Sequence, residues 1–256
     1  YISLTAPKKQ SMHTLKVEYT PNDNLYSLTE IGLSNTDLNL YSHKDKSNDL
    51  GLAWKQSVRW NKQIGGIKWS NELNGERQST QFTLFEPFRN PEFNRDWAIG
   101  NALPKNGDDM FFNFKTGIEN RQLKGDYSFR YYDKQNNYRG QMHTWQTNYH
   151  NQSTQIHFSG SDLKNSLGKI NGKFFRPKVS LQQQIGKSEA QILGFSYEKE
   201  KNEQHIENEN KLLPQSFSFG IFNAFVQGNA LKNNFTYQLH FSTRQDFKID
   251  DAIFTK

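Results

Sequence analysis

The sequence predicts an all-β protein, a meander of antiparallel hairpins, and three observations carry that prediction. Apolar and polar residues alternate with a period of two over most of the chain, which puts one set of side chains on each face of a strand. No window of useful length repeats its apolar residues at three- and four-residue intervals, so amphipathic helices are not expected. Short polar stretches separate the alternating runs, as hairpin turns require.

Taken in order, residues 1–84 read as N-terminal β hairpins. Leu15, Val17 and Tyr19 lie on one face, followed by Leu25, Ile31 and Leu33, then Leu50, Leu52, Trp54, Val58 and Trp60. Residues 85–109 interrupt the alternation with Pro87, Pro91, Pro104 and Gly107, and are expected to form an irregular connector. Residues 110–256 resume it as a C-terminal hairpin meander. Its first hairpin sets Phe112, Phe114 and Ile118 against Leu123, Tyr127, Phe129 and Tyr131 across the polar turn at Glu119–Gln122. Three more follow: 141–149 with 155–159, 178–185 with 191–198, and 216–227 with 234–242. The whole chain then holds about a dozen strands. Turns are expected to be short near 120, 152, 188 and 230, with longer loops over 132–139, 160–177 and 199–215. Phe112, Phe129, Leu181, Phe195, Phe219 and Tyr237 are expected to share one buried apolar face.

With 256 residues the chain can form one large β domain or two small ones. Its mean hydropathy is low, but 20 Phe and 11 Tyr set in a periodic pattern exclude a disordered chain. No apolar run is long enough for a membrane-spanning helix. The chain begins at Tyr1 with no basic and apolar leader, so it reads as a processed chain or a piece of a longer one. The absence of cysteine excludes disulfides and is compatible with a cytosol or a bacterial envelope. The net charge of +6 is spread over single Lys and Arg residues with no basic tract, so no nucleic-acid partner is expected.

The most distinctive segment is Phe85-Glu86-Pro87-Phe88-Arg89-Asn90-Pro91-Glu92-Phe93-Asn94-Arg95-Asp96-Trp97. Its arginines, acids and aromatics suit charge-assisted hydrogen bonds that fasten an irregular loop. Arg89, Glu92, Arg95, Asp96 and Trp97 are the candidate binding residues. Arg89 and Arg95 are expected to pair with Glu86, Glu92 or Asp96, or with backbone carbonyls. Arg95→Ala is then expected to cost a few kcal/mol, as for one partner of a partly buried ion pair.

The pattern Phe-Arg-x-Pro-Glu-Phe-x-Arg-Asp-Trp over 88–97, followed by Asn- and Gln-rich aromatic hairpins to about 245, resembles large, poorly characterised cell-envelope and outer-membrane β-proteins of the Bacteroidota. The resemblance implies a portion of a bigger envelope protein and carries no activity over to particular residues.

Nothing in the sequence marks an enzyme. The serine-hydrolase elbow, the zinc-protease helix, the phosphate loop and the dinucleotide fingerprint are missing, and no cysteine nucleophile is possible. His143, His150 and His157 have no neighbouring acid to complete a metal site, and no cofactor is expected. Asp108–Asp109 and Asp250–Asp251 are adjacent pairs that point to opposite faces of a strand and so serve turns better than acid–base chemistry. The five tryptophans and many amides would suit a glycan.

Strand length and an aromatic face also suit an outer-membrane barrel, against which Gln183, Asn223 and Thr147 interrupt the apolar face. Facing lipid without partners, each would cost about one to a few kcal/mol. The expected function is a non-catalytic structural or interaction protein of a bacterial outer membrane or cell surface. Its partners are other envelope proteins or the rest of a longer chain, with lipid or glycan as further ligands. A glycan-binding β domain and a transmembrane β-barrel pore are the alternatives.

Overall fold

The computed structural model describes residues 6–41, 49–85, 89, 92–99, 107–135, 137–186, 191–209, 211–230 and 235–249. Twelve antiparallel strands form one sheet in which each strand pairs with its neighbours in sequence. They are β1 (Lys9–Asn22), β2 (Leu25–Asp37), β3 (Leu50–Ile64), β4 (Ile67–Gln78), β5 (Asp109–Glu119), β6 (Leu123–Lys134), β7 (Tyr138–His150), β8 (Thr154–Leu167), β9 (Ile170–Ile185), β10 (Gln191–Ile206), β11 (Phe217–Ala230) and β12 (Phe235–Asp246). A four-residue helix, α1 (Phe93–Asp96), lies in the connector between β4 and β5. No pairing of β1 with β12 closes the sheet among the described residues. The all-β hairpin meander read from the sequence is the fold.

The turns follow from local chemistry. Asn120 Oδ1 accepts from the amides of Gln122 and Leu123, and Asn151 Oδ1 from those of Ser153 and Thr154, so two hairpins turn on the same asparagine device. The β8–β9 turn needs a left-handed residue and has Gly168 there, at φ 59°.

The strands run further than the apolar alternation indicates. The expected loops at 132–139, 160–177 and 199–215 shrink to 135–137, 168–169 and 207–216, because charged and small residues continue the ladders. Arg176 pairs with Glu200 at 3.1 Å and Lys178 with Glu198 at 3.0 Å, which extends β9 and β10 where hydrophobic alternation has ended.

The molecule divides into two compact units that share β3–β7: a first unit of Tyr1–Asn61, Asn71–Phe114 and Arg130–Gly140, and a second of Lys62–Ser70, Lys115–Phe129 and Gln141–Lys256. In the first unit the core is Trp97 and Ile99 of the connector with Tyr132 of β6 and Tyr138 of β7, all buried. In the second it includes Leu163 and Phe174, directly opposite one another on β8 and β9.

Candidate functional site

The connector is fastened by Arg89, whose partners come from strands and not from its own segment. Arg89 Nη1 donates to Glu76 Oε2 of β4 at 3.2 Å, and Nη2 to Asp109 Oδ1 of β5 at 2.6 Å. Tyr132 Oη of β6 donates to the other oxygen of Asp109 at 2.9 Å. The guanidinium carbon lies 4.7, 5.0 and 5.2 Å from the ring centres of Phe93, Phe111 and Tyr132, so a delocalised cation fills an aromatic enclosure with two carboxylates at its edge. Trp97 stacks against the same cluster, and its carbonyl accepts from Tyr138 Oη at 2.6 Å.

Asp108 ties the connector's two ends together. Its carboxylate accepts from Arg77 Nη2 at 3.0 Å and from the amide and hydroxyl of Thr80 at 3.0 and 3.1 Å. The Arg77 hydrogen bond, opposed by partial desolvation and reinforced by Thr80, holds the Asp108 carboxyl below its ordinary value of 3.8.

These contacts correct the expected pairing. Arg89 uses Glu76 and Asp109 instead of Glu92 or Asp96, and Glu86 lies outside the described residues. Arg95 is the arginine that pairs with Glu92 and Asp96, at 2.6 and 3.7 Å, but its side chain is 74% exposed. That exposure makes it a solvated surface pair, so the cost expected for Arg95→Ala is instead expected at Arg89. Of the five candidate residues, Arg89 and Trp97 are brought together in the buried cluster, while Glu92 and Arg95 face solvent. Asp108 and Asp109 diverge as expected, to Arg77 and Arg89; Asp250 and Asp251 lie outside the described residues.

His143 and His157 stand on opposite faces. His143 accepts or donates at Tyr127 Oη, beside Phe129, and His157 lies between Asn148 Oδ1 at 2.6 Å and Ser159 Oγ at 3.0 Å. They do not converge on one site.

The sheet faces are the second feature. In the first unit the register aligns Leu15–Ile31–Trp54 and sets Leu33 opposite Leu52 on one face, and Lys16–Glu30–Lys55 and Ser34–Gly51 on the other. The connector lies on the polar face, where Phe82 packs on Gly32 and Gly51 and Thr83 donates its amide to Ser34 Oγ. The apolar face is uncovered: Leu15 is 59% exposed and Leu52 52%.

The second unit repeats the arrangement. Cross-strand rows Phe158–Val179–Tyr197–Phe222 and Ile156–Leu181–Phe195–Ala224–Phe241 form an exposed apolar face, while Ser159–Lys178–Glu198–Ile221–Arg244 lies on the other. Leu181, Phe195 and Tyr237 share the apolar face as expected, but Phe219 stands on the polar one, opposite Glu200. The expectation that this face is buried fails, because no second layer covers it among the described residues.

Two of the three polar interruptions of the apolar face, Asn223 and Gln183, also resolve. Asn223 is on the polar face, bonded to Ser196 Oγ at 3.2 Å. Gln183 is on the apolar face, and its amide is occupied: Thr154 Oγ1, directly opposite, donates to Gln183 Oε1 at 2.8 Å, and Gln183 Nε2 donates to the Gln184 carbonyl at 3.1 Å. In the first unit Gln56 repeats this device, accepting from Thr29 Oγ1 at 2.6 Å and donating to Ser27 Oγ at 2.9 Å. No family model, curated protein or solved structure matches the chain.

Proposed function

We propose that this chain forms part of the wall of a bacterial outer-membrane β-barrel, a non-catalytic structural element whose apolar face meets hydrocarbon and whose polar face borders an aqueous interior. The observation that carries this reading is the inverted amphipathicity of each unit: apolar rows stand exposed on one face, while the Arg176–Glu200 and Lys178–Glu198 pairs and the buried Leu163 and Phe174, like the buried connector cluster, lie on the other. In water, each half-exposed Leu, Ile or Phe forfeits about 1 kcal/mol of the burial free energy available to it. A bilayer supplies that burial without a second protein layer.

Two further features support it. On β9 the apolar face runs from Phe175 to Ile185, and on β3 from Leu50 to Trp60. Ten residue steps span about 34 Å, or about 24 Å when tilted by about 45°, close to the apolar band of such barrels. The occupied amides of Gln56 and Gln183 answer the main objection, since hydrocarbon penalises only the polar groups left without partners.

The test uses chain refolded into phosphatidylcholine vesicles whose acyl chains carry bromine, a quencher of indole fluorescence. Trp54 and Trp69 stand exposed, and Trp145 stacks beside Phe158 on the apolar face, whereas Trp97 is buried in the connector cluster. Quenching is expected, and replacing Trp54, Trp69 and Trp145 together with Trp60, which shares the apolar face of β3, by Phe should remove most of it. A folded chain whose fluorescence is untouched by brominated lipid overturns the reading.

A further inference from the structure

The apolar face of the second unit changes character at one end of β8–β10. The register sets Lys164 of β8 directly opposite Lys173 of β9, on the face that also carries Phe158 and Val179. Both lysines are exposed, and neither makes an ion pair among the described residues. Glu203 of β10 lies opposite Lys173, but it is buried and its carboxylate is engaged by Lys201. Like charges set directly across a ladder repel. One further row toward the strand centres is Phe175, flanked by Asp162 and Lys201, and the Trp145 ring lies 6.2 Å from both Phe175 and Phe158.

We propose that this end of the face binds a phosphate-bearing lipid headgroup, with the phosphate between Lys164 and Lys173 and the acyl chains over Phe175, Trp145 and Phe158. The inference rests on the bilayer-facing reading above. An anion there relieves the Lys164–Lys173 repulsion, and ammonium groups at the border of an apolar surface are the usual partners of anionic headgroups. Asp162 and Glu203 are the opposing charges. Glu203 is neutralised by Lys201, which leaves Asp162 as the acid that limits how strong the preference can be.

The experiment measures lipid selectivity in mixed vesicles, comparing quenching by brominated phosphatidic acid with quenching by brominated phosphatidylcholine. Wild type is expected to prefer phosphatidic acid by roughly five- to thirty-fold, the range for one to two lysines near a headgroup. Lys164→Gln with Lys173→Gln should bring the ratio close to one, while Lys178→Gln on the opposite face should leave it unchanged. The preference should also weaken as salt is raised. Quenching by phosphatidylcholine without selectivity, or an equal loss in Lys178→Gln, overturns the headgroup site and leaves the bilayer-facing wall standing. Absence of quenching by either lipid overturns both.

Discussion

In the first unit the polar face of β1–β3 lies under the connector, with Phe82 seated on Gly32 and Gly51 and the whole segment anchored where Arg89 meets Glu76 and Asp109. In the second unit the polar face satisfies itself from strand to strand: Lys178 with Glu198, Arg176 with Glu200, Asn223 with Ser196, His157 with Asn148. The same alternating strands therefore support two kinds of polar face. One concentrates its stabilisation in a few residues of a single crossover segment. The other spreads it over many modest pairs, so that single substitutions should separate the two.

The largest effect is expected at Arg89. Arg89→Ala leaves Glu76 and Asp109 without their cation and empties the space between Phe93, Phe111 and Tyr132, a loss of about 2 to 4 kcal/mol for a largely buried pair. Urea melts in detergent micelles would measure it, with protease sensitivity of the connector as a local readout. By contrast, Lys178→Gln in the second unit removes one half-exposed pair and should cost less than about 1 kcal/mol. Equal losses would end the distinction.

Two glycines sharpen it. A Cβ at Gly51 would overlap the backbone of Phe82, which cannot move without lifting the connector, whereas the nearest atoms to a Cβ at Gly194 belong to the Phe225 ring. Gly51→Ala is expected to cost about 2 to 3 kcal/mol and to expose the connector to protease. Gly194→Ala should stay nearer 1 kcal/mol, because a side chain can rotate aside.

Asp108 gives the comparison a pH axis. Its folded-state pKa is depressed, so its contribution is present above the unfolded value of 3.8 and is lost as pH falls through the lower folded value. Protease sensitivity of the connector should therefore rise below about pH 4 in the wild type. Asp108→Asn, which costs less than about 1 kcal/mol at neutral pH, should show a flatter response. A variant with the same acid response as the wild type would assign the transition to other carboxylates.

Much of the sheet was legible because apolar alternation marks strands directly, and Leu15 to Trp60 fall on the faces the sequence assigns. Beyond the apolar band the signal changes kind. At 160–167 and 199–206 the strands continue on charged and small residues, so a search for hydrophobic periodicity reads loops there. In β11 apolar residues occupy both parities, Phe217, Phe219, Ile221 and Phe225 on one and Phe222, Ala224 and Val226 on the other. Only pairing with Phe195 and Tyr197 decides which parity faces out. The Arg89 anchor was half legible: the segment and its arginines are conspicuous, but Glu76 and Asp109 lie 13 and 20 positions away, and nothing local announces them.

The smallest effect is expected at Arg95. Its partners, Glu92 and Asp96, share its short helical turn and are themselves about half exposed. Water solvates all three charges whether or not they touch, and holding a long side chain in one geometry offsets most of the remaining attraction. Arg95→Ala should therefore change stability by less than about 0.5 kcal/mol and leave the connector as protease-resistant as in the wild type. Combined with Arg89→Ala it should add nothing beyond the sum of the two, since Arg95 pairs with Glu92 and Asp96 whereas Arg89 pairs with Glu76 and Asp109. A loss at Arg95 comparable with that at Arg89 would mean that the helical turn, and not the strand carboxylates, holds the connector to the first unit's polar face.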